Sequence, residues 1–131
     1  MLKLVGVETY YGKIKALHGV SLNVEEGQLV TILGANGAGK STILKTISGL
    51  VEPENGTIHF NDVRIDRKDP EKIVSMGISH VPEWRRIFPD LTVYDNLYMG
   101  GFLINDKELL SERMEEAYIH FPILRNRKDQ L

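Results

Sequence analysis

A chain of 131 residues with a formal net charge of −2 has the length of one domain, and its charge balance gives no general electrostatic case for nucleic acid or an anionic membrane. Without cysteine it has neither disulfides nor thiolate metal sites, which is compatible with a reducing cytosol. Its apolar runs fall far short of the roughly 18 residues that suggest a membrane span, and residues 1–30 lack the pattern of a signal peptide, so a soluble, unexported protein is expected.

In chain order, Leu2 to Tyr11 alternates loosely and reads as a strand, with a second strand expected over Val20 to Val24 after the glycine-bounded stretch Gly12 to Gly19. Glu25-Glu26-Gly27 forms a turn, and Leu29 to Leu33 then runs apolar on both faces. A continuously apolar strand that leads through glycines into a helix is the pattern of a buried parallel strand in an α/β protein. From Lys40 to Ser48 the pattern becomes helical, with Ile43, Leu44, Ile47 and Leu50 on one stripe and Gly49 as a stop. Thr57 to Phe60 and Val63 to Ile65 form a hairpin through Asn61-Asp62.

Asp69-Pro70-Glu71 opens a short helix with a capping oxygen, a proline that needs no N–H and an acid in the first turn. Gly77 ends it, and Ile78 to Val81 reads as the next strand. Thr92-Val93-Tyr94-Asp95 fits a capping box and starts another helix. Leu109 to Phe121 is a helix whose stripe of Leu110, Met114, Ala117, Tyr118 and Phe121 packs on a core, with Pro122 closing it. The helical pattern after Thr92 marks a separate lobe, dividing the chain into residues 1–91 and 92–131.

Between the apolar run and the first helix stands Gly34-Ala35-Asn36-Gly37-Ala38-Gly39-Lys40-Ser41-Thr42, which satisfies the P-loop pattern G-x-x-x-x-G-K-[ST]. Small residues let successive backbone N–H groups turn inward as a nest for phosphate oxygens, and the positive end of the following helix faces the same place. Lys40 adds a full charge for the β- and γ-phosphates, Ser41 offers a hydroxyl to Mg2+, and Thr42 reaches the α-phosphate side. Gly34, Asn36, Gly37, Ala38, Gly39, Lys40, Ser41 and Thr42 are therefore the candidate cofactor-binding residues, with a nucleoside triphosphate and Mg2+ as ligands. The plain alternative is a glycine-rich strand–helix turn that holds nothing. A dinucleotide fingerprint is excluded by register, because the third glycine after Gly37 and Gly39 falls on position 42, which is threonine. His18, His59, His80 and His120 lack metal spacing and read as structural or surface residues.

The segment YYGKIKALHGVSLNVEEGQLVTILGANGAGKSTILKTISGL resembles the N-terminal half of an ABC-transporter ATP-binding subunit, and the likeness continues through GTIHFNDVRI and GISHVPEWRRIFPDLTVYDNLYMGGF. Within that superfamily, VPEWRRIFPDLTVYDNL is most similar to ATP-binding subunits of branched-chain amino acid importers. The resemblance implies an α/β P-loop NTPase (ABC ATPase) core with a small antiparallel β subdomain and the start of a helical lobe, truncated before the signature motif. It implies Mg-ATP binding that powers import and a cytoplasmic position on the inner face of the membrane. As partners it implies transmembrane permease subunits, met through the Glu83–Phe88 region, and a second ATP-binding subunit, with no nucleic acid.

The family's adenine-stacking aromatic falls on Tyr11, with a packed strand aromatic as the alternative; neighbouring strand residues face opposite sides, so Tyr10 and Tyr11 do not both stack. The family's Q-loop position falls on Glu83, a carboxylate suited to Mg2+ or a positioned water, against a solvated loop acid. Glu83 is thus the candidate catalytic residue and, with Ser41, a candidate metal ligand. Trp84 departs from the glycine usual in resembling sequences, and a bulky ring there restricts the backbone. Arg85, Arg86, Ile87 and Phe88 lie on the stretch that faces the permease by resemblance; ordinary surface arginines over a core phenylalanine are the alternative.

The family continues with a signature helix opening LSGGQ, a Walker B strand ending in Asp-Glu and a switch histidine, none of which occurs in this sequence. Hydrolysis needs a water-orienting group and a second hold on Mg2+, and Glu83 does not supply both. The expectation is an N-terminal part of an ATPase subunit that holds nucleotide without turning it over, with Leu29 to Leu33 short of neighbouring strands. A non-hydrolytic regulatory module, or an inactive truncated gene product, is the alternative.

Overall fold

The computed structural model describes residues 1–84 and 86–131; Arg85, one of the residues expected to face a permease, lies outside the described residues. The chain divides into two compact units, Met1–Val81 and Pro82–Leu131.

The first unit is built on a four-stranded sheet of order β2-β1-β3-β4. β1 (Leu2–Tyr11) and β2 (Ile14–Val24) form an antiparallel hairpin running from Leu2 opposite Val24 to Tyr11 opposite Ile14. β2 thus starts at Ile14 and not at Val20, because Gly19 (φ 73°) does not end the strand. The ladder absorbs it as an irregularity between the Val7–Val20 and Glu8–His18 pairs. β1 buries Leu4, Val7 and Thr9, a spacing that breaks simple alternation. A bulge at Gly6 (φ 57°) explains it, since an extra residue in one strand sends the following side chains to the other face.

β3 (Asn55–Phe60) pairs antiparallel along the other edge of β1. Beside the bulge the backbones run so close that a Cβ on Gly56 would stand 2.5 Å from the Gly6 carbonyl oxygen. β4 (Val63–Arg64) closes the expected hairpin, with Asn61 and Asp62 both left-handed (φ 47° and 63°), as a two-residue type I′ turn demands.

α1 (Lys40–Ile47) lays Ile43 and Ile47 into a core with Leu4, Val7, Leu17, Ile58, Ile65 and Ile73. Leu44 and Leu50, expected on the same stripe, are exposed, and Thr42 and Thr46 complete the buried face instead. Thr46 is accommodated there because its Oγ1 donates to the Thr42 carbonyl at 2.8 Å and lies 3.3 Å from Thr9 Oγ1. α2 (Pro70–Ser75) begins at its proline as expected, but the Asp69 carboxylate does not cap it; it pairs with Lys72 at 3.1 Å.

Two expected strands are absent from the described residues. Leu29–Leu33 and Ile78–Val81 run without a ladder, and Leu29 and Leu33 are 96% and 88% exposed. A strand exists by pairing, and every ladder of this sheet is antiparallel and made among β1 to β4. Apolar sequence alone does not create the partner.

Asp66, just past β4, is buried. Its carboxylate accepts from Arg64 Nε at 2.9 Å and Nη2 at 3.0 Å, and from the Ile58 N–H at 3.0 Å. Burial pushes this carboxyl up, but the Arg64 guanidinium and the Ile58 N–H together outweigh burial and hold it below the usual carboxylate range. A group lowered in the folded state contributes stability that is present above its unfolded pKa and is lost as pH falls through the folded one. Wild-type melting temperature is therefore expected to fall from about pH 5 downward, and Asp66→Asn to lose less over the same interval. Parallel melting-versus-pH curves for the two proteins would refute this.

The second unit is helical, with α3 (Val93–Gly100), α4 (Lys107–His120) and α5 (Pro122–Asn126). The Thr92–Asp95 capping box forms in both directions. Asp106 caps α4 by accepting from the Glu108 and Leu109 N–H groups. α4 buries Leu110 and Tyr118, while Phe121, expected on that stripe, is exposed; it is the junction residue at which α4 stops and α5 begins. Asn96 clasps the backbone of Phe88 from both sides, Oδ1 accepting its N–H at 2.9 Å and Nδ2 donating to its carbonyl at 3.0 Å.

Candidate functional site

Residues 34–39 leave the apolar run and enter α1 with little side-chain bulk. Gly37 (φ 84°) and Gly39 (φ 87°) are left-handed, and Gly39 is the N-cap of α1 with no side-chain oxygen capping the helix. No acidic residue occupies the first turn. Such a helix start presents N–H donors and a positive dipole end to an anion. Gly39 answers a packing demand as well: a Cβ there would stand 2.8 Å from the Ala16 carbonyl oxygen and 2.9 Å from Leu17 Cδ2. The loop is therefore seated directly on β2.

Lys40 folds back over the loop, its Nζ donating to the Gly34 and Ala35 carbonyls at 2.7 Å each. The ammonium thus lies over the loop rather than away in solvent. The Ala38 N–H closes the turn on the Ala35 carbonyl at 3.1 Å. Asn36, Gly37, Ala38 and Ser41 are exposed, whereas Thr42 is buried on the core side of α1.

Tyr11 ends β1 opposite Ile14 and is 46% exposed. Gly39 meets β2 at Ala16, about 7 Å along the strand from Ile14. The hairpin end and the glycine loop are thereby brought together in the first unit. Tyr10 is half-buried, and Lys15, paired with Glu8 at 2.6 Å, places its Nζ 5.6 Å from the Tyr10 ring centroid.

Glu83, Trp84, Ile87 and Phe88 belong to the second unit and are exposed. Trp84 (φ 62°) and Arg86 (φ 33°) are left-handed, a conformation that costs a side-chain-bearing residue about 1–2 kcal/mol. A tryptophan thus stands in backbone geometry that glycine favours. The second unit also contains an apolar groove of ≈ 660 Å³ whose lining includes Phe88, Leu91, Leu97, Met99 and Phe102.

A polyphosphate with its magnesium suits the donor set of residues 34–42: a helix start, one ammonium, one exposed hydroxyl, and no first-turn carboxylate to repel it. Sequence reasoning missed Ser48 and His80, whose side chains meet at 2.9 Å across a separation of 32 residues. No spacing rule announces such a contact, and the histidine carried no metal or catalytic pattern that would have singled it out.

A family profile described as ABC transporter matches residues 17–131. The high-affinity branched-chain amino acid transport ATP-binding protein BraG of Pseudomonas aeruginosa is 44% identical over 130 residues, which cover 99% of this chain and 55% of BraG. The xylose/arabinose import ATP-binding protein XylG of Sulfolobus acidocaldarius is 34% identical over 116 residues, covering 88% of this chain and 46% of XylG. The chain spans about half the length of these curated relatives. A solved dimeric bacterial ABC transporter cassette matches with a TM-score of 0.80 at 27% identity, over 98% of this chain and 60% of that one. Glycine loop, antiparallel subdomain and helical unit thus come together in one known architecture, and the chain belongs to the ABC transporter family as part of an ATP-binding cassette.

Proposed function

We propose that this chain is the nucleotide-cradling part of an ABC importer's ATP-binding subunit, the complete transporter carrying branched-chain amino acids. One observation carries the reading: a glycine loop seated on β2, opening a helix with no acidic first turn, with the Lys40 ammonium lying over it. The backbone N–H groups of residues 36–42 hold the phosphate chain, and Lys40 neutralises its outer charge. The Ser41 hydroxyl would hold Mg2+ and the Tyr11 ring would stack on the base, while Glu83, in the second unit, is a further candidate for the metal by resemblance to the family. When bound, Mg-ATP supplies the phosphoanhydride whose cleavage powers transport in a whole subunit. In this reading residues 1–91 belong to the nucleotide-binding core and 92–131 to the start of the helical lobe.

Cleavage requires a water-orienting group together with a second hold on the metal, so this chain by itself binds without turnover. The apolar groove beside Ile87 and Phe88 is where a permease subunit docks, and a second ATP-binding subunit completes the site. No helix among the described residues is long and apolar enough to cross a membrane, which suits a peripheral position on the inner face through the permease. The higher identity to BraG than to XylG favours amino acids over sugars as cargo.

Calorimetric titration with Mg-ATP, with phosphate release followed on the same sample, tests the reading. Saturable uptake without phosphate release is expected. No uptake at millimolar Mg-ATP would overturn it.

A further inference from the structure

We propose that the outer face of the four-stranded sheet carries a separate ligand site, for a small zwitterion, and that an α-amino acid with an apolar side chain is its ligand. The carboxylate of such a molecule meets Lys3, and its ammonium meets Asp62. The site lies wholly within the first unit and does not depend on the Mg-ATP reading.

An open pocket of ≈ 640 Å³ lies on this face, built from β1, β2, β3 and the β3–β4 turn. The strand register sets its floor. Lys3 stands opposite Asn23 on β2 and opposite His59 on β3, so three polar side chains share one row about 10 Å wide. Val5, two residues on and therefore on the same face, adds an exposed apolar surface to the pocket. At the other end of the row, the Asn61 N–H donates to the Met1 carbonyl at 2.7 Å and fixes the turn, with Asp62, beside the start of β1. Along β1 the pocket is thus apolar, then basic, then acidic.

Charges are arranged here unlike those elsewhere on the sheet. Glu8 pairs with Lys15 at 2.6 Å, and Asp66 with Arg64 at 2.9 Å. Lys3 and Asp62 line one pocket with opposite charge, yet neither side chain has an ion-pair or hydrogen-bond partner among the described residues. Glu25, which also lines the pocket, is already engaged: it accepts from Asn23 Nδ2, and the Met1 ammonium stands 3.9 Å away.

A ligand of a single sign is poorly served by this set. An anion drawn to Lys3 is repelled by Asp62 and Glu25, and a cation drawn to Asp62 is repelled by Lys3 and the Met1 ammonium. No group of His, Asp and Glu side chains among the described residues can hold a metal ion. A zwitterion satisfies both ends at once, Lys3 Nζ donating to its carboxylate while its ammonium donates to Asp62. An apolar side chain, projecting from the carbon between those two groups, then lies against Val5 and loses water there.

The full chain, labelled with nitrogen-15, is titrated with L-leucine, and its amide shifts are followed by NMR. Saturable movement of the Lys3, His59 and Asp62 amides is expected, with a dissociation constant on the order of millimolar, as suits two exposed charged contacts to so small a molecule. Lys3→Gln and Asp62→Asn are each expected to weaken binding by about tenfold or more. Asparagine accepts the left-handed backbone of Asp62 (φ 63°), so the turn is kept. Two further probes divide the ligand: isocaproate lacks the ammonium and isoamylamine lacks the carboxylate, and neither is expected to saturate where leucine does.

Stationary amides at these three positions through about 50 mM leucine overturn the proposal, as does unchanged leucine affinity in either folded variant. Isocaproate or isoamylamine binding as tightly as leucine overturns it too, because a site for one charge needs only one of the pair. Lys3 and Asp62 are both exposed, and far-UV circular dichroism checks each variant. If one unfolds, the other carries the test; unfolding of both makes the pair part of the scaffold, and the proposal fails. None of these results touches the Mg-ATP reading, since Lys40 and its loop take no part in the site.

Discussion

Lys40→Ala is expected to weaken Mg-ATP binding by about ten- to a hundredfold while leaving the chain folded. Hydrogen bonds between charged groups contribute about 1.5–3 kcal/mol, and each 1.4 kcal/mol is roughly tenfold in affinity. The same substitution removes two hydrogen bonds to the Gly34 and Ala35 carbonyls. Both carbonyls lie in an exposed loop that water can reach, so the cost to folding is at most about 1 kcal/mol. The variant therefore separates affinity from stability: a dissociation constant by calorimetry falls on one axis, and a circular dichroism melt on the other. Wild-type affinity in Lys40→Ala would mean that phosphate is held somewhere other than this loop.

The second large effect is steric. Gly39→Ala is expected to cost about 3 kcal/mol of stability and to degrade nucleotide binding with it, whereas Gly37→Ala costs about 1 kcal/mol. The two glycines share nearly the same left-handed φ, 87° and 84°, so the backbone strain of an alanine is common to both. They differ in what a methyl group meets. At Gly37 nothing lies within 4 Å, but at Gly39 the Ala16 carbonyl oxygen is at 2.8 Å, and a backbone atom in a paired strand has little room to give. Urea unfolding of the two variants measures the difference. Equal losses would show that the loop is not pressed against β2.

The parts of this fold that were legible in the sequence are those whose cause is local. The β3–β4 turn follows from Asn61-Asp62, the start of α3 from the Thr92–Asp95 box, and α1 from the glycine loop that precedes it. The course of the glycine loop into α1 was legible for the same reason, since its small residues are consecutive. What escaped depends on partners distant in the chain. Leu29–Leu33 has the composition of a buried strand but no ladder to join among the described residues. The bulge at Gly6 becomes visible only once Gly56 is set beside it, and Thr46 reads as an interruption of a stripe until its bonds to Thr42 and Thr9 are seen. Asp69 failed as a cap because Lys72, one turn on, took its carboxylate.

The double pairing of β1 has a consequence for how the first unit comes apart. A strand with ladders on both edges leaves the sheet only after both have been severed, whereas β4, two residues long, has one neighbour. Opening under thermal agitation therefore starts at the β4 margin and reaches the β1–β2 hairpin last. The amide protons of the doubly paired part of β1, Leu2 to Glu8, are expected to be among the slowest of the first unit to exchange with solvent.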